Sequence, residues 1–259
     1  MNLEYSANIG FLWSDLPLPE RIVAAKKAGF DAVECHFPYE YPAKEIADLL
    51  KINDIPMIGL NTLLSPPCDS YFGVAALEGK EELARQYIDK AIEYATVVGA
   101  SNINVVAGKS TDTKTSELVY RENLRYACQQ AAKEGKTILI EPLNPRAVAD
   151  YHFNSIEHAA AIVDSVAEDN LKIMFDVFHT QIVQGDLVTL LQNYIGYIGH
   201  VQISAVHDRG EPDVGEVNYP FILENLVKLG YRGFIGAEYK PRGSTVEEGL
   251  VWLEQFRRI

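Results

Sequence analysis

Cysteine is scarce and unpatterned in this chain. Cys35, Cys68 and Cys128 are three in number, widely spaced, with no CxxC pair. That argues against a disulfide framework or a zinc ribbon and for a reducing compartment. Cations are outnumbered, 23 Lys and Arg against 36 Asp and Glu, for a formal net charge of −13. Nucleic acids and anionic membranes are held by Lys and Arg, so neither is expected as a partner. No apolar run approaches the ~20 residues of a membrane span, and the opening residues lack the basic and apolar regions of a signal peptide. A cytoplasmic chain is expected, with assembly into a homo-oligomer left open. A glycine-rich phosphate loop is also missing. The first strand candidate runs into Gly10-Phe-Leu-Trp13, with no GxGxxG or Walker pattern, which counts against an open dinucleotide-binding sheet.

What the chain does contain is alternation. Hydrophobic residues make up 47% of its 259 residues, enough for a large core. Short apolar runs at Tyr5–Ile9, Ala32–Phe37, Met57–Thr62, Asn102–Ala107, Thr137–Pro142, Leu171–Val177, Gly199–Ser204 and Gly233–Tyr239 read as eight strands. Amphipathic helices separate them, with starts near Pro19, Pro42 and Ser155. In the third, Leu83, Tyr87, Ala91 and Ala95 form a stripe flanked by Ile88 and Ile92, and Gly99 fits a C-terminal cap. Ser244-Thr-Val-Glu247 has the pattern of a capping box opening the last helix. The pattern predicts an α/β fold, a (β/α)8 TIM barrel, with residues 1–259 as one domain.

Polar residues stop the last four strand candidates. Glu141, Asp176, Gln202 and Glu238 each end an apolar run, which in a barrel places them on the C-terminal face where active sites sit. Buried carboxylates that converge repel one another unless a cation lies among them. Three carboxylates and one amide oxygen suit one hard divalent ion, Mg2+ or Mn2+. A lone acid at a strand end is more often a helix cap, but four in succession favour the metal site. His179, three residues past Asp176, supplies a nitrogen ligand or a substrate contact.

The segments Ile140-Glu-Pro-Leu-Asn144, Phe175-Asp-Val-Phe-His179, His200-Val-Gln-Ile203, Glu211-Pro-Asp-Val-Gly-Glu-Val-Asn-Tyr219 and Gly236-Ala-Glu-Tyr-Lys-Pro-Arg-Gly243 together resemble the hydroxypyruvate isomerase family. That family includes the 2-oxo-tetronate isomerases and belongs to the xylose isomerase-like TIM barrels. Phe37-Pro-Tyr39 and Gly73-Val-Ala-Ala-Leu-Glu-Gly79 fit as well, so the resemblance spans the whole chain. It implies that Glu141, Asp176, Gln202 and Glu238 bind the metal and that Glu141 and Glu238 form the acid/base pair. The loop from Asn61 to Phe72 departs from the family's usual Gly/Asp-rich version, which leaves substrate identity less fixed than reaction type.

The implied reaction moves a proton between adjacent carbons of a small anionic sugar acid, hydroxypyruvate or a 2-oxo-tetronate, through an enediolate. Lys240, His179, Arg209 and Lys109 are the candidate substrate-binding residues. Lys240 shares a face with Glu238 if the strand persists that far. His36 and His152 read as supporting residues, and Phe11, Trp13 and Phe37 as core rather than pocket wall. The alternatives are a ketose 3-epimerase on the same scaffold, a barrel endonuclease and a sugar dehydratase. Six histidines and a net charge of −13 supply neither the His-rich site nor the basic groove of an endonuclease.

Overall fold

The computed structural model describes residues 3–65, 71–110 and 114–259. Strands and helices alternate: β1 (Tyr5–Asn8), α1 (Leu18–Lys27), β2 (Ala32–Cys35), α2 (Ala43–Ile52), β3 (Met57–Asn61), α3 (Glu81–Val98), β4 (Asn102–Asn104), α4 (Lys114–Lys133), β5 (Thr137–Ile140), α5 (Ile156–Val166), β6 (Leu171–Asp176), α6 (Val177–Val183), α7 (Leu187–Tyr194), β7 (Ile198–Ile203), α8 (Tyr219–Lys228), β8 (Ile235–Ala237) and α9 (Val251–Phe256). Each strand pairs in parallel with the next, and β8 pairs with β1 to close the barrel. The predicted (β/α)8 fold is the one observed. Strands covered on both faces need apolar residues on both, which is why they read as near-continuous apolar runs. Cys35 and Cys128 are buried free thiols; Cys68 lies outside the described residues.

Several strands stop earlier than their apolar runs. The Asn102–Ala107 run leaves the ladder after Asn104 because side chains take over its backbone donors: Val106 N–H donates to Thr62 Oγ1 and Ala107 N–H to the Tyr151 hydroxyl. The last strand ends at Ala237, and Lys240 N–H donates to the Arg209 carbonyl instead. In α3 the buried face runs through Ala84, Ile88, Ala91, Ala95 and Val98, with Leu83 and Tyr87 only partly covered. The predicted face is thus largely the observed one: Ile88, Ala91, Ile92 and Ala95 are buried, and Leu83 and Tyr87 lie at its edge. Gly99 is left-handed at φ 79° and caps that helix. The predicted capping box does not form. Ser244 N–H and Oγ–H both donate to Glu248, while Glu247 accepts from the Trp13 indole N–H.

The closure of the barrel is sealed by aromatic packing. Trp252 on α9 is fully buried and lies edge-on to Tyr5 of β1, at 5.7 Å between ring centroids, and to Tyr239 beyond β8, at 6.1 Å. Phe30 and Phe256 flank it at 6.2 and 5.6 Å. Removing so large a ring leaves a cavity that rigid strands cannot fill. Trp252→Ala is expected to lower unfolding stability by ~3–5 kcal/mol, read by urea denaturation; a loss under ~1 kcal/mol would show that α9 does not hold the β8–β1 seam.

Candidate active site

The interior of the barrel turns polar toward the C-terminal ends of the strands. Ser6, Asn8, Glu34, Asn104, His200 and Gln202 are all buried there. In a parallel sheet, laterally paired residues point to the same side. Asp176 pairs with Gln202, and Gln202 with Gly236, so the Asp176 and Gln202 side chains stand in one layer. Glu141 follows β5 directly and Glu238 follows β8 directly. All four residues retain 8% exposure or less.

Each carboxylate is held by its own donors. Glu141 Oε2 accepts from Asn104 Nδ2 at 3.3 Å. Asp176 Oδ1 accepts from Phe178 N–H at 2.8 Å, so this side chain also caps α6. Glu238 Oε1 accepts from Asn8 Nδ2 at 3.0 Å and lies 2.5 Å from His36 Nε2. The Arg209 Nη2 group bonds to Glu238 Oε2 and sits 3.3 Å from Asp176 Oδ2. Arg209 is held there by a left-handed backbone, φ 60°, and by the rings of Phe11 and Phe178, 5.0 and 4.9 Å from its guanidinium carbon. Non-glycine residues rarely adopt that conformation, and such strain concentrates at functional sites.

These environments drive the acids apart. Burial, with the charges of Glu238 and Asp176, pushes the Glu141 carboxyl well above its usual range. Burial raises Asp176 to about 8, although Arg209 opposes the shift. Burial also works against ionisation of Glu238, but Arg209 and the His36 hydrogen bond outweigh it and hold this carboxyl at about 2. Burial and the nearby Arg209 charge lower His179 to about 3. His179 Nδ1 accepts the Asn144 backbone N–H at 2.9 Å, so the neutral ring carries its proton on Nε2. That nitrogen lies 3.5 Å from Asp176 Oδ2 and 3.9 Å from Glu141 Oε1.

Glu141, Asp176 and His179 offer ligand atoms within 4.8 Å of one another, a cluster that could hold a metal ion. A second observation supports the fit. Gln202 Oε1 is buried with no hydrogen-bond partner, although buried amide oxygens are ordinarily satisfied. Carboxylate and amide oxygens are the donors a hard divalent ion prefers.

A cavity of about 700 Å³ opens above this cluster, lined among others by Phe11, Phe37, Arg146, His207, Arg209 and Lys240. Phe11 and Phe37 thus wall the cavity, contrary to the expectation of core packing, whereas Trp13 is buried and bonded to Glu247. Lys240 lies past the end of β8, so no strand period places it, yet it reaches the cavity with its ammonium 5.9 Å from the Phe11 ring and no ion-pair partner among the described residues. Lys109 does not line the cavity; it bridges to Tyr151. His36 contacts Glu238, while His152 bonds to Ser110 and Glu117 away from the site. Asn8 and Glu34 escaped the sequence reading. Their only signal is a polar side chain interrupting the apolar runs Tyr5–Ile9 and Ala32–Phe37.

The profile of the xylose isomerase-like TIM barrel family matches residues 22–256. The chain is 40% identical over 255 residues to the 2-oxo-tetronate isomerase of Cupriavidus necator, covering 97% of this chain and 98% of that protein. It is 34% identical over 262 residues to the hydroxypyruvate isomerase of Escherichia coli, covering 98% and 100%. A crystal structure from Brucella melitensis, described as an AP endonuclease of family 2, superposes with a TM-score of 0.95 at 36% identity, covering 98% of this chain and 99% of that one.

The packing beneath the site sets a further test. A Cβ at Gly236 would lie 2.8 and 2.9 Å from the Glu34 carboxylate oxygens and 2.9 Å from Gln202 Cγ, and both side chains are pinned by hydrogen bonds. Gly236→Ala is expected to cost ~1–3 kcal/mol of stability, the usual range for overpacking. Urea denaturation reads the change; wild-type stability would mean that this floor yields freely.

Proposed function

The chain belongs to the hydroxypyruvate isomerase family of xylose isomerase-like TIM barrels, and from that membership we propose that it isomerises a small hydroxy-keto acid, hydroxypyruvate or a 2-oxo-tetronate, by proton transfer between adjacent carbons. The observation that carries the reading is the meeting of Glu141 and Asp176 in one metal-sized cluster, with Glu238 tied to Asp176 through Arg209 and the unpartnered Gln202 oxygen in a cavity shared by Glu141 and Glu238.

A divalent cation, Mg2+ or Mn2+, held by Glu141, Asp176, Gln202 and Glu238 would stabilise the negative charge that develops on the substrate oxygens. The protein's own groups then divide the proton work. Glu238 takes the proton from the carbon that bears the hydroxyl. The electron pair left behind forms the carbon–carbon double bond of an enediolate. Glu141, with one oxygen toward the metal and the proton on the other, gives that proton to the neighbouring carbon, and the hydroxyl proton passes between the two substrate oxygens. Standing at the ends of β5 and β8, the two acids can flank the substrate and take opposite roles. The Nε2–H of His179 is assigned to a substrate oxygen, because Nδ1 accepts the Asn144 N–H, which leaves Glu141 and Asp176 as the ligands from the metal-sized cluster. Phe11 and Phe37 limit water at the reacting carbons.

The substrate's carboxylate needs a cation of its own. Arg209 is engaged by Asp176 and Glu238, and Lys109 stands off the cavity. Lys240 and Arg146 both line the cavity without an ion pair among the described residues; Lys240, two residues past Glu238, is assigned to the carboxylate. The endonuclease reading is disfavoured by the net charge of −13, since abasic DNA would have to enter through its phosphates.

Glu141→Gln removes a metal oxygen and a proton-transfer group, so kcat is expected to fall by at least ~10²-fold; full activity with metal bound would exclude Glu141 from the chemistry. Lys240→Met should lower kcat/KM for keto acids by the ~1.5–3 kcal/mol of a hydrogen bond to a charged group, and leave any turnover of neutral ketoses unchanged. Both are read in parallel assays on hydroxypyruvate, a 2-oxo-tetronate, a free ketose and an abasic duplex. Faster turnover of the ketose by the wild type, with both substrates affected alike by Lys240→Met, would replace this reading with the 3-epimerase; cleavage of the duplex would replace it with the endonuclease.

A further inference from the structure

One buried acid in the floor takes no part in the reaction as written. Glu34, on β2, is 5% exposed and has no Lys or Arg partner among the described residues. Both of its oxygens are saturated with donors. Oε1 accepts from Asn8 Nδ2 at 3.2 Å and from Gln202 Nε2 at 2.7 Å. Oε2 accepts from Ser6 Oγ at 3.1 Å and lies 2.7 Å from His200 Nε2. Four partners from β1 and β7 therefore fix this carboxylate in place across the barrel.

An ionised carboxylate only accepts, whereas a primary amide has one donating and one accepting end. Facing Glu34, the Gln202 amide must present its nitrogen. The reverse orientation would set oxygen against oxygen in a buried site and leave Oε1 of Glu34 without its shortest bond. With the nitrogen committed, the Gln202 oxygen is the end left over, and it is the one that is buried and unpartnered. Gln202 lies laterally beside Asp176 and shares a small cavity with Glu141 and Glu238. The absence of a side chain at Gly236 is what admits the Glu34 carboxylate and the Gln202 chain side by side. Asn8 extends the same lock to the proposed base, since its Nδ2 donates both to Glu34 Oε1 and to Glu238 Oε1.

We propose that Glu34 is a positioning residue that fixes the Gln202 amide in the one orientation that leaves its oxygen free, as a neutral ligand beside the three carboxylates, for a divalent cation. The inference rests on the reading of Gln202 as a metal ligand given above. It is specific in one respect: the effect of Glu34 on the metal runs through residue 202.

The test is a double-mutant cycle read by calorimetric titration with Mn2+, without any substrate. Glu34→Gln can donate as well as accept, so it releases the amide. It is expected to weaken Mn2+ binding by ~10–100-fold, the usual effect of losing a partner behind a ligand. Gln202→Ala should weaken it comparably. The double variant should bind no more weakly than Gln202→Ala alone, because nothing remains for Glu34 to orient. Glu34→Asp keeps the charge but withdraws the carboxylate by one methylene; it is carried through the same cycle and serves in place of Glu34→Gln if that variant does not fold. A Glu34→Gln loss that persists in full in the Gln202→Ala background, or no loss at all, overturns the inference while the metal site stands. Failure of the wild-type chain to take up Mn2+ overturns the metal reading and this inference with it.

Discussion

Glu141, Asp176 and Glu238 stand together in a space that water scarcely reaches, and three such acids cannot all ionise unless positive charge lies among them. Much of the local structure answers that constraint. Arg209 adopts a left-handed backbone, packs its guanidinium between Phe11 and Phe178, and reaches two of the three acids. Asn8, His36 and Asn104 spend their donors on the same groups. The compensation is uneven: Glu238 is held ionised while Glu141 and Asp176 are driven toward their protonated forms. The two acids left short of positive charge, Glu141 and Asp176, are the ones that belong to the metal-sized cluster.

The barrel supplies this arrangement through its register. Lateral pairing puts Asp176, Gln202 and Gly236 in one layer, and the glycine opens space into which Glu34 reaches from β2, on the other side of β1. Rigid strands therefore hold the floor, while the cations that face the cavity, Arg146, Arg209 and Lys240, stand on the chain segments beyond the strand ends. This division lets reaction type reside in the barrel and substrate choice in its loops.

The same division explains how much was legible beforehand. The alternation of short apolar runs and amphipathic helices points to parallel α/β architecture, and the absence of a glycine-rich loop after the first strand favours the closed barrel over an open sheet. Glu141, Asp176, Gln202 and Glu238 could be picked out because each interrupts an apolar run where its strand ends; their chemical roles remain proposals. Glu34 was not legible, since its partners His200 and Gln202 lie 166 and 168 residues away along the chain. A mid-strand acid says nothing locally about which donors will meet it across a barrel. The Ser244 turn differs from its local pattern for a related reason: Glu247 is taken by the Trp13 indole, and the serine bonds to Glu248 instead. Lys109 was placed too near the site because its strand ends three residues sooner than its apolar run.

The claim that a cation completes this site is tested most directly by thermal unfolding of the wild-type chain against Mn2+. An ion that binds the folded protein alone stabilises it by mass action, by about 2.7 kcal/mol at a hundredfold excess over its dissociation constant. The account predicts that the melting temperature climbs with Mn2+ concentration from its value in chelator, and that Glu238→Ala removes most of the climb. Melting at the same temperature in chelator and in saturating Mn2+ would contradict it.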